Sequence, residues 1–133
     1  EIIGREVRSP KEVLEQLESL KGSIDLFWML PDTTVVTPDT VEYFLLFSLR
    51  NRVPILTFSE KYVEQGALLS FDIDPVDLGR QAGEMVCRVL AGSPVNAIPP
   101  AGPRTVLFTV NSKVARKLGA TIGHDVLEKA RLY

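Results

Sequence analysis

The sequence is poor in the residues that most often carry chemistry. Its 133 residues include one cysteine, Cys87, and one histidine, His124. A single cysteine cannot close an internal disulfide, and together the two cannot form a metal-ligand cluster. Cys87 falls on a predicted helix beside Met85 and Val86 with no partner histidine evident, so it reads as a buried or half-buried small apolar group. His124 follows Gly123 near the start of the last predicted helix, where a surface position is expected. Long hydrophobic runs are also missing. The apolar stretches around Phe27 and Phe44 are interrupted within about ten residues, well short of a membrane span. Charge of one sign is absent as well: 15 basic and 17 acidic residues leave a net charge of -2. The basic residues Arg50, Arg52, Lys113, Arg116 and Lys117 are scattered, and no stripe of them interleaves with aromatics, which argues against a nucleic-acid footprint. There is no GxSxG elbow, P-loop, HExxH, or GxGxxG after the first strand, so no catalytic residue and no cofactor is indicated. The chain opens on Glu1 without an initiator methionine, as expected of a processed or truncated product.

What is present is alternation of strand and helix. The organising stretch is Ile24 to Leu49, IDLFWMLPDTTVVTPDTVEYFLLFSL. Ile24 to Leu30 is apolar apart from Asp25, the pattern of a central strand covered on both faces, and Pro31 ends its pairing. Asp32, Thr33 and Thr34 then stand at the mouth of the strand, where open α/β sheets bind ligands. The competing reading is that they only satisfy turn and cap hydrogen bonds. Before this stretch, Glu1–Val7 predicts an outer strand, and Ser9-Pro10-Lys11-Glu12 opens a helix with a capping box that Gly22 stops. After it, Thr37-Pro38-Asp39 caps a helix to about Arg50. That helix is apolar on one face through Val41, Phe44, Leu45 and Leu49, and on another through Tyr43, Leu46 and Phe47, which points to a partner surface.

Val53 to Phe58 and Ala67 to Phe71 are the next strands. Ser59 and Glu60 occupy the second strand mouth; Phe71, Asp72 and Asp74 occupy the third. Asp74-Pro75-Val76-Asp77 opens a helix with a strong apolar stripe, Leu78, Ala82, Met85, Val86, Val89 and Leu90. Gly79 and Gly83 on one face of it would permit close approach to a neighbour. The four prolines of residues 93–104 make an extended connector. Residues 105–133 then supply a terminal strand, a helix capped by Asn111 or Ser112, and a last helical turn or two over Asp125–Leu132. The expected fold is one α/β domain over residues 1–133, a doubly wound, mostly parallel sheet with helices on both faces. Carboxylates and hydroxyls at strand mouths, near aromatics such as Phe71, suit a small polar ligand, and an aspartate suits an amine.

LPDTTVV, GALLSFDIDPVDLGRQAG and VNSKVARKLG, within a match from about Val7 to Ala120, closely resemble the substrate-binding proteins of ABC transporters, a family whose members include lipoproteins assigned to tryptophan binding. The resemblance implies the C-terminal lobe of a type I periplasmic-binding-protein fold, holding a small solute, such as an amino acid, between two lobes and passing it to a membrane permease. It implies a periplasmic or extracellular location, with a lipoprotein anchor as one form. By position it assigns Asp32, Thr33 and Thr34 to the first cleft loop, Ser59 and Glu60 to the second, and Phe71 to Asp74 to the third. Two departures stand out. The strand and helix that open this lobe in the family precede the segment equivalent to Glu1, which removes an inner strand of a 2-1-3-4-5 sheet and invites a homo-oligomer or strand swap. In addition, Asp72 stands where the family usually has glycine. Two further readings keep the fold: the extracellular sensor of a signalling protein, and a flavodoxin-like phosphoacceptor or enzyme that uses Asp32.

Overall fold

The computed structural model describes residues 1–133 and forms one sheet in the order β1-β2-β3-β4-β5. The first helix, α1 (Pro10–Ser19), starts where the Ser9 hydroxyl accepts from Glu12 N–H at 3.4 Å. The Glu12 carboxylate reaches back to Arg8 N–H at 3.0 Å, one residue earlier than a standard capping box. In α2 (Pro38–Asn51) the box is reciprocal: Thr37 accepts from Thr40 N–H, and the Thr40 hydroxyl accepts from Thr37 N–H at 2.9 Å. Arg52, left-handed at φ 56°, ends α2 and turns the chain into the next strand.

The strands β1 (Phe27–Trp28), β2 (Ile55–Thr57) and β3 (Leu69–Ile73) run parallel. Between the last two lies α3 (Glu60–Gln65), and after β3 comes α4 (Pro75–Leu90). The register Phe27↔Ile55 and Trp28↔Leu56 sorts the side chains onto two faces. One face carries Met29 and Ile55 into a core with Val13 and Leu17 of α1 and Val41, Phe44 and Phe47 of α2. The Phe27 and Phe44 rings meet there at 4.8 Å. Tyr43 donates its hydroxyl to Glu18 and so ties α2 to α1; this bond raises the Tyr43 pKa above its ordinary value.

Several expectations are corrected. Glu1–Val7 forms no strand, because it pairs with nothing: across from it, β1 is the sheet edge, and a cavity of about 770 Å³ lies between them. The Ile24–Leu30 run is therefore not central. Only Met29 in it is buried, at 2% exposure, and Phe27 is half-buried, while Trp28 is 57% exposed. Phe47 is buried and Tyr43 is engaged with Glu18, so of the predicted partner surface on α2 only Leu46 faces outward. No residue of α4 is buried, and nothing lies within 4 Å of a Cβ built on Gly79 or Gly83, so the close approach they permit is not used. Cys87 on this helix is exposed.

The connector carries only a single 3-10 turn, Val95–Ala97. Beyond it, β4 (Val106–Val110) pairs antiparallel to β3 from Ile73↔Val106 to Leu69↔Val110. The connector delivers the chain to the carboxyl end of β3, and a strand that starts there can only run back along it. The short helix α5 (Ser112–Leu118) is capped by Asn111. The last helix, α6 (His124–Leu127), is shorter than expected because Arg131–Leu132 forms β5, parallel to β4. No helix is long and apolar enough to cross a membrane.

The chain exposes 9116 Å². A compact monomer of its mass exposes about 6,900 Å². Much of the excess is apolar, on the sheet face of Trp28, Phe71, Ile73 and Val106 and on α4. An unpaired edge beside an apolar face is a template for association. The isolated chain is therefore expected to self-associate, giving a light-scattering mass above 14.7 kDa at high concentration. Trp28→Lys, which places a charge on the edge strand, should return it to monomer. A wild-type chain that stays monomeric at all concentrations would refute this.

Candidate functional site

Parallel pairing sets the carboxyl ends of β1, β2 and β3 side by side, and each continues into a polar loop. After β1, Asp32 Oδ1 accepts from Thr34 N–H at 2.7 Å and Val35 N–H at 3.0 Å, and the Asp32 carbonyl accepts from Val36 N–H at 2.8 Å. Asp32 thus builds its own turn, as an aspartate in such a loop commonly does. Its Oδ2 and the hydroxyls of Thr33 and Thr34 make no hydrogen bond within the chain, and Asp32 and Thr33 are exposed.

After β2, Ser59 has the extended backbone of an N-cap, yet its side chain makes no cap bond. The first amide of α3, Glu60 N–H, donates to Asp72 Oδ2 at 3.2 Å. The Glu60 carboxylate pairs with Arg131 of β5 at 2.9 Å. After β3, Asp74 Oδ1 caps α4 by accepting from Val76 N–H at 2.9 Å and Asp77 N–H at 3.1 Å. The Glu60 and Asp72 predicted from sequence are therefore brought into contact. Asp74 is turned to its own helix. Phe71, one residue before Asp72, lies on the opposite sheet face, stacked edge-on against Phe108 at 4.7 Å. The large cavity lies along the β1 edge and touches only the first of these loops, through Leu30, Asp32 and Val35; it is the gap in the sheet, not a pocket at the strand mouths.

Two sets of residues escaped the sequence reading. Arg131 was hidden by assigning its segment to a helix, and no local pattern marks it. The second set is Arg104 with its partners on α4. Arg104 makes a bidentate pair with Glu84 at 2.9 Å and a further pair with Asp77 at 3.0 Å. Thr105 donates to Asp77 Oδ2 at 2.6 Å, and Gln81 bonds both Gly102 O and Arg104 N–H. Here the sequence carried a signal, since Asp77, Gln81 and Glu84 recur at helical spacing on one face of α4. This clasp holds the end of the connector beside the third loop. The Thr105 hydroxyl and the Arg104 guanidinium hold the Asp77 carboxyl below its ordinary range, and Arg104 does the same for Glu84.

With this geometry in hand, the comparison with known sequences is decisive. The sequence profile of the family described as ABC transporter substrate binding protein matches residues 2–132. The chain belongs to that family. It is 31% identical over 99 residues to a tyrosine-binding protein of Clostridioides difficile (strain R20291), a match covering 74% of this chain and 28% of that protein. Among solved structures, the ABC domain in complex with L-Trp from Streptococcus pneumonia is 28% identical, with a TM-score of 0.66, and the match covers 95% of this chain and 42% of that one. A ligand-free, open substrate-binding protein with adhesive properties from Clostridium difficile has a TM-score of 0.75 at 24% identity, covering 100% of this chain and 44% of that one. A conserved domain protein from Vibrio cholerae O1 biovar El Tor gives 0.66 at 23%, covering 93% and 41%. The last two speak for the fold alone. The chain spans less than half the length of each of these relatives.

The clasp generates a pH dependence of known sign. Carboxyls whose pKa is depressed by folding contribute stability that is full above their unfolded values, about 4, and is lost as pH falls through the lower folded values. Stability contributed by Asp77 and Glu84 should therefore persist at pH 5 and decline below about pH 4. Hydrogen exchange at Arg104 N–H, which bonds to Gln81, reports the opening. The doubly substituted Asp77→Asn, Glu84→Gln chain should lose this acid-sensitive step; an unchanged profile would remove the clasp as its cause.

Proposed function

We propose that the chain is one lobe, residues 1–133, of a periplasmic or extracellular solute receptor, membrane-anchored as a lipoprotein in one form. It holds a small-molecule solute, an amino acid, in a cleft between two lobes and delivers it to the membrane permease of an ABC importer. It is a binding protein, not an enzyme. The observation that carries this reading is the family match over residues 2–132 joined to three polar loops gathered on one end of the sheet. A tyrosine-binding relative and an L-Trp complex among the structural neighbours support an aromatic amino acid as the solute.

On this reading Asp32 Oδ2 receives the solute ammonium while Oδ1 keeps the turn in shape, with Thr33, Thr34 and Ser59 supplying hydroxyls around it. Asp74 and Glu60 shape their loops through the α4 cap and the Arg131 pair. Phe71, placed on the sheet face with Phe108, supports the third loop from behind. The facing lobe supplies the opposite wall. A single wall buries at most one side of a solute and so forgoes most of the contact that binding needs.

L-tyrosine and L-tryptophan should raise the melting temperature of a two-lobe protein containing this chain, and leave the isolated chain unchanged. Two substitutions then separate the roles of Asp32. Asp32→Asn keeps the acceptor for the turn and removes the charge, whereas Asp32→Ala removes both. Both should weaken amino-acid binding by tenfold or more, about the size of one charge-assisted contact. Only Asp32→Ala should lower stability, by about 1 kcal/mol. Wild-type affinity in the Asn variant, measured by calorimetry, would exclude Asp32 as the ammonium partner.

A further inference from the structure

We propose that Asp72 is a positioning residue of the cleft: it caps α3 from the neighbouring strand and thereby sets where the Ser59 hydroxyl stands. The proposal rests on the solute-binding reading for its functional consequence. Any helix leaves its first amides without intrahelical partners, and the residue just before it normally supplies an acceptor. Ser59 is of the right type and has the right backbone, φ -149° and ψ 139°, but makes no such bond. The side-chain acceptor at this helix start comes instead from 12 residues downstream, where Asp72 Oδ2 takes the first orphan amide, Glu60 N–H, at 3.2 Å. Asp72 Oδ1 meanwhile takes Ile73 N–H at 2.8 Å, so both oxygens are engaged and the carboxylate is held in one orientation.

The location gives this bond its leverage. The last backbone pair between β2 and β3 is Thr57↔Ser70, and Ser59 and Asp72 each lie two residues beyond it. The Asp72 bond therefore continues the link between the two strands past the end of the ladder, across the mouths of two cleft loops. From the other side, Arg131 of β5 holds the Glu60 carboxylate at 2.9 Å, so the amino end of α3 is tethered through both its backbone and its side chain. Ser59, whose hydroxyl makes no cap bond, is the polar side chain of the second loop left free for a solute. Asp72, with both oxygens used, acts through Glu60 rather than by touching the solute.

The test compares Asp72→Ala with Asp72→Asn. Asn still presents one acceptor oxygen to Glu60 N–H and gives up only the local bond to Ile73. The first readout is hydrogen exchange at Glu60 N–H in the 133-residue chain. The second is the affinity of the two-lobe protein for L-tyrosine and L-tryptophan. Asp72→Ala should speed Glu60 exchange and weaken affinity by about tenfold each, the scale of one lost hydrogen bond. Asp72→Asn should keep both within about threefold of wild type, a rescue that a directly bound carboxylate would not allow. Should Asn weaken affinity as much as Ala while Glu60 exchange stays slow, Asp72 is an ionic solute contact and the proposal fails. It fails equally if neither variant changes Glu60 exchange, or if exchange responds and affinity does not. If Asp72→Ala does not fold, Asp72→Ser, whose shorter side chain withdraws the acceptor, is read the same way. If the wild-type two-lobe protein binds neither amino acid, the solute reading falls by itself, and the exchange readout still decides whether Asp72 caps α3.

Discussion

The structure depends on the parallel register of β1, β2 and β3. Parallel neighbours must enter from the same end, so each needs a crossover, and each crossover begins at the same edge of the sheet. Two short ladders, Phe27↔Ile55 with Trp28↔Leu56 and then Leu56↔Leu69 with Thr57↔Ser70, are enough to align three polar loops. Those ladders are in turn secured from one side, where Phe44 and Phe47 of α2 and Leu17 of α1 bury Met29 and Ile55. Slipping any strand by one residue would send its buried side chains to the exposed face and Trp28 or Leu56 into the core. The core thus holds the register, and the register places the loops.

The two sides of this sheet are unequal in a way that bears on function. The side covered by α1 and α2 is packed, with Phe44 at 1% exposure, while the other presents Trp28, Phe71 and Ile73 to solvent. Similarly, α4 has an apolar stripe with no buried residue and yet is clasped along another face by Arg104, Gln81 and Thr105. A helix clasped by polar bonds on one face and unburied on its apolar one is set in place for contact with further polypeptide. This agrees with relatives in which the matching region is less than half of the chain.

Local chemistry was legible in the sequence wherever the signal was itself local. Ser9, Thr37, Asp74 and Asn111 each cap the helix that follows, and each sits next to the residues it bonds. The parallel strands and the connector of residues 93–104 were legible for the same reason, since runs of apolar residues and prolines act on their own segment. What escaped was set by pairing across distance. Residues 1–7 look like a strand, but a strand needs a partner, and none adjoins them. The reversal of β4 follows from where the connector ends, not from the composition of TVLFTV. At the site, Asp32 and Asp74 bond within their own loops, as the competing reading held, whereas the Asp72 bond to Glu60 N–H and the Arg131 pair exist only because β3 and β5 return to the same end.

The electrostatics of this wall limit what it can receive on the proposed reading. Asp32, Glu60, Asp72 and Asp74 stand at the strand mouths, and the cation placed against them, Arg131, is already paired with Glu60. Asp72 spends both oxygens, and Asp74 one, on backbone amides, which are fixed partial positive charges, and Asp74 also faces the amino end of α4, so their negative charge is partly answered within the wall. Asp32 is exposed, has one oxygen unused and caps no helix, which leaves its charge the least answered of the four. Such a surface favours the ammonium end of a zwitterion and repels its carboxylate, which must then be met by donors on the facing lobe. Dividing the two charges of one small molecule between two walls makes closure depend on the solute being present: either wall alone offers only half of the attraction, and bringing the walls together without the molecule would leave the acidic groups desolvated and unpaired.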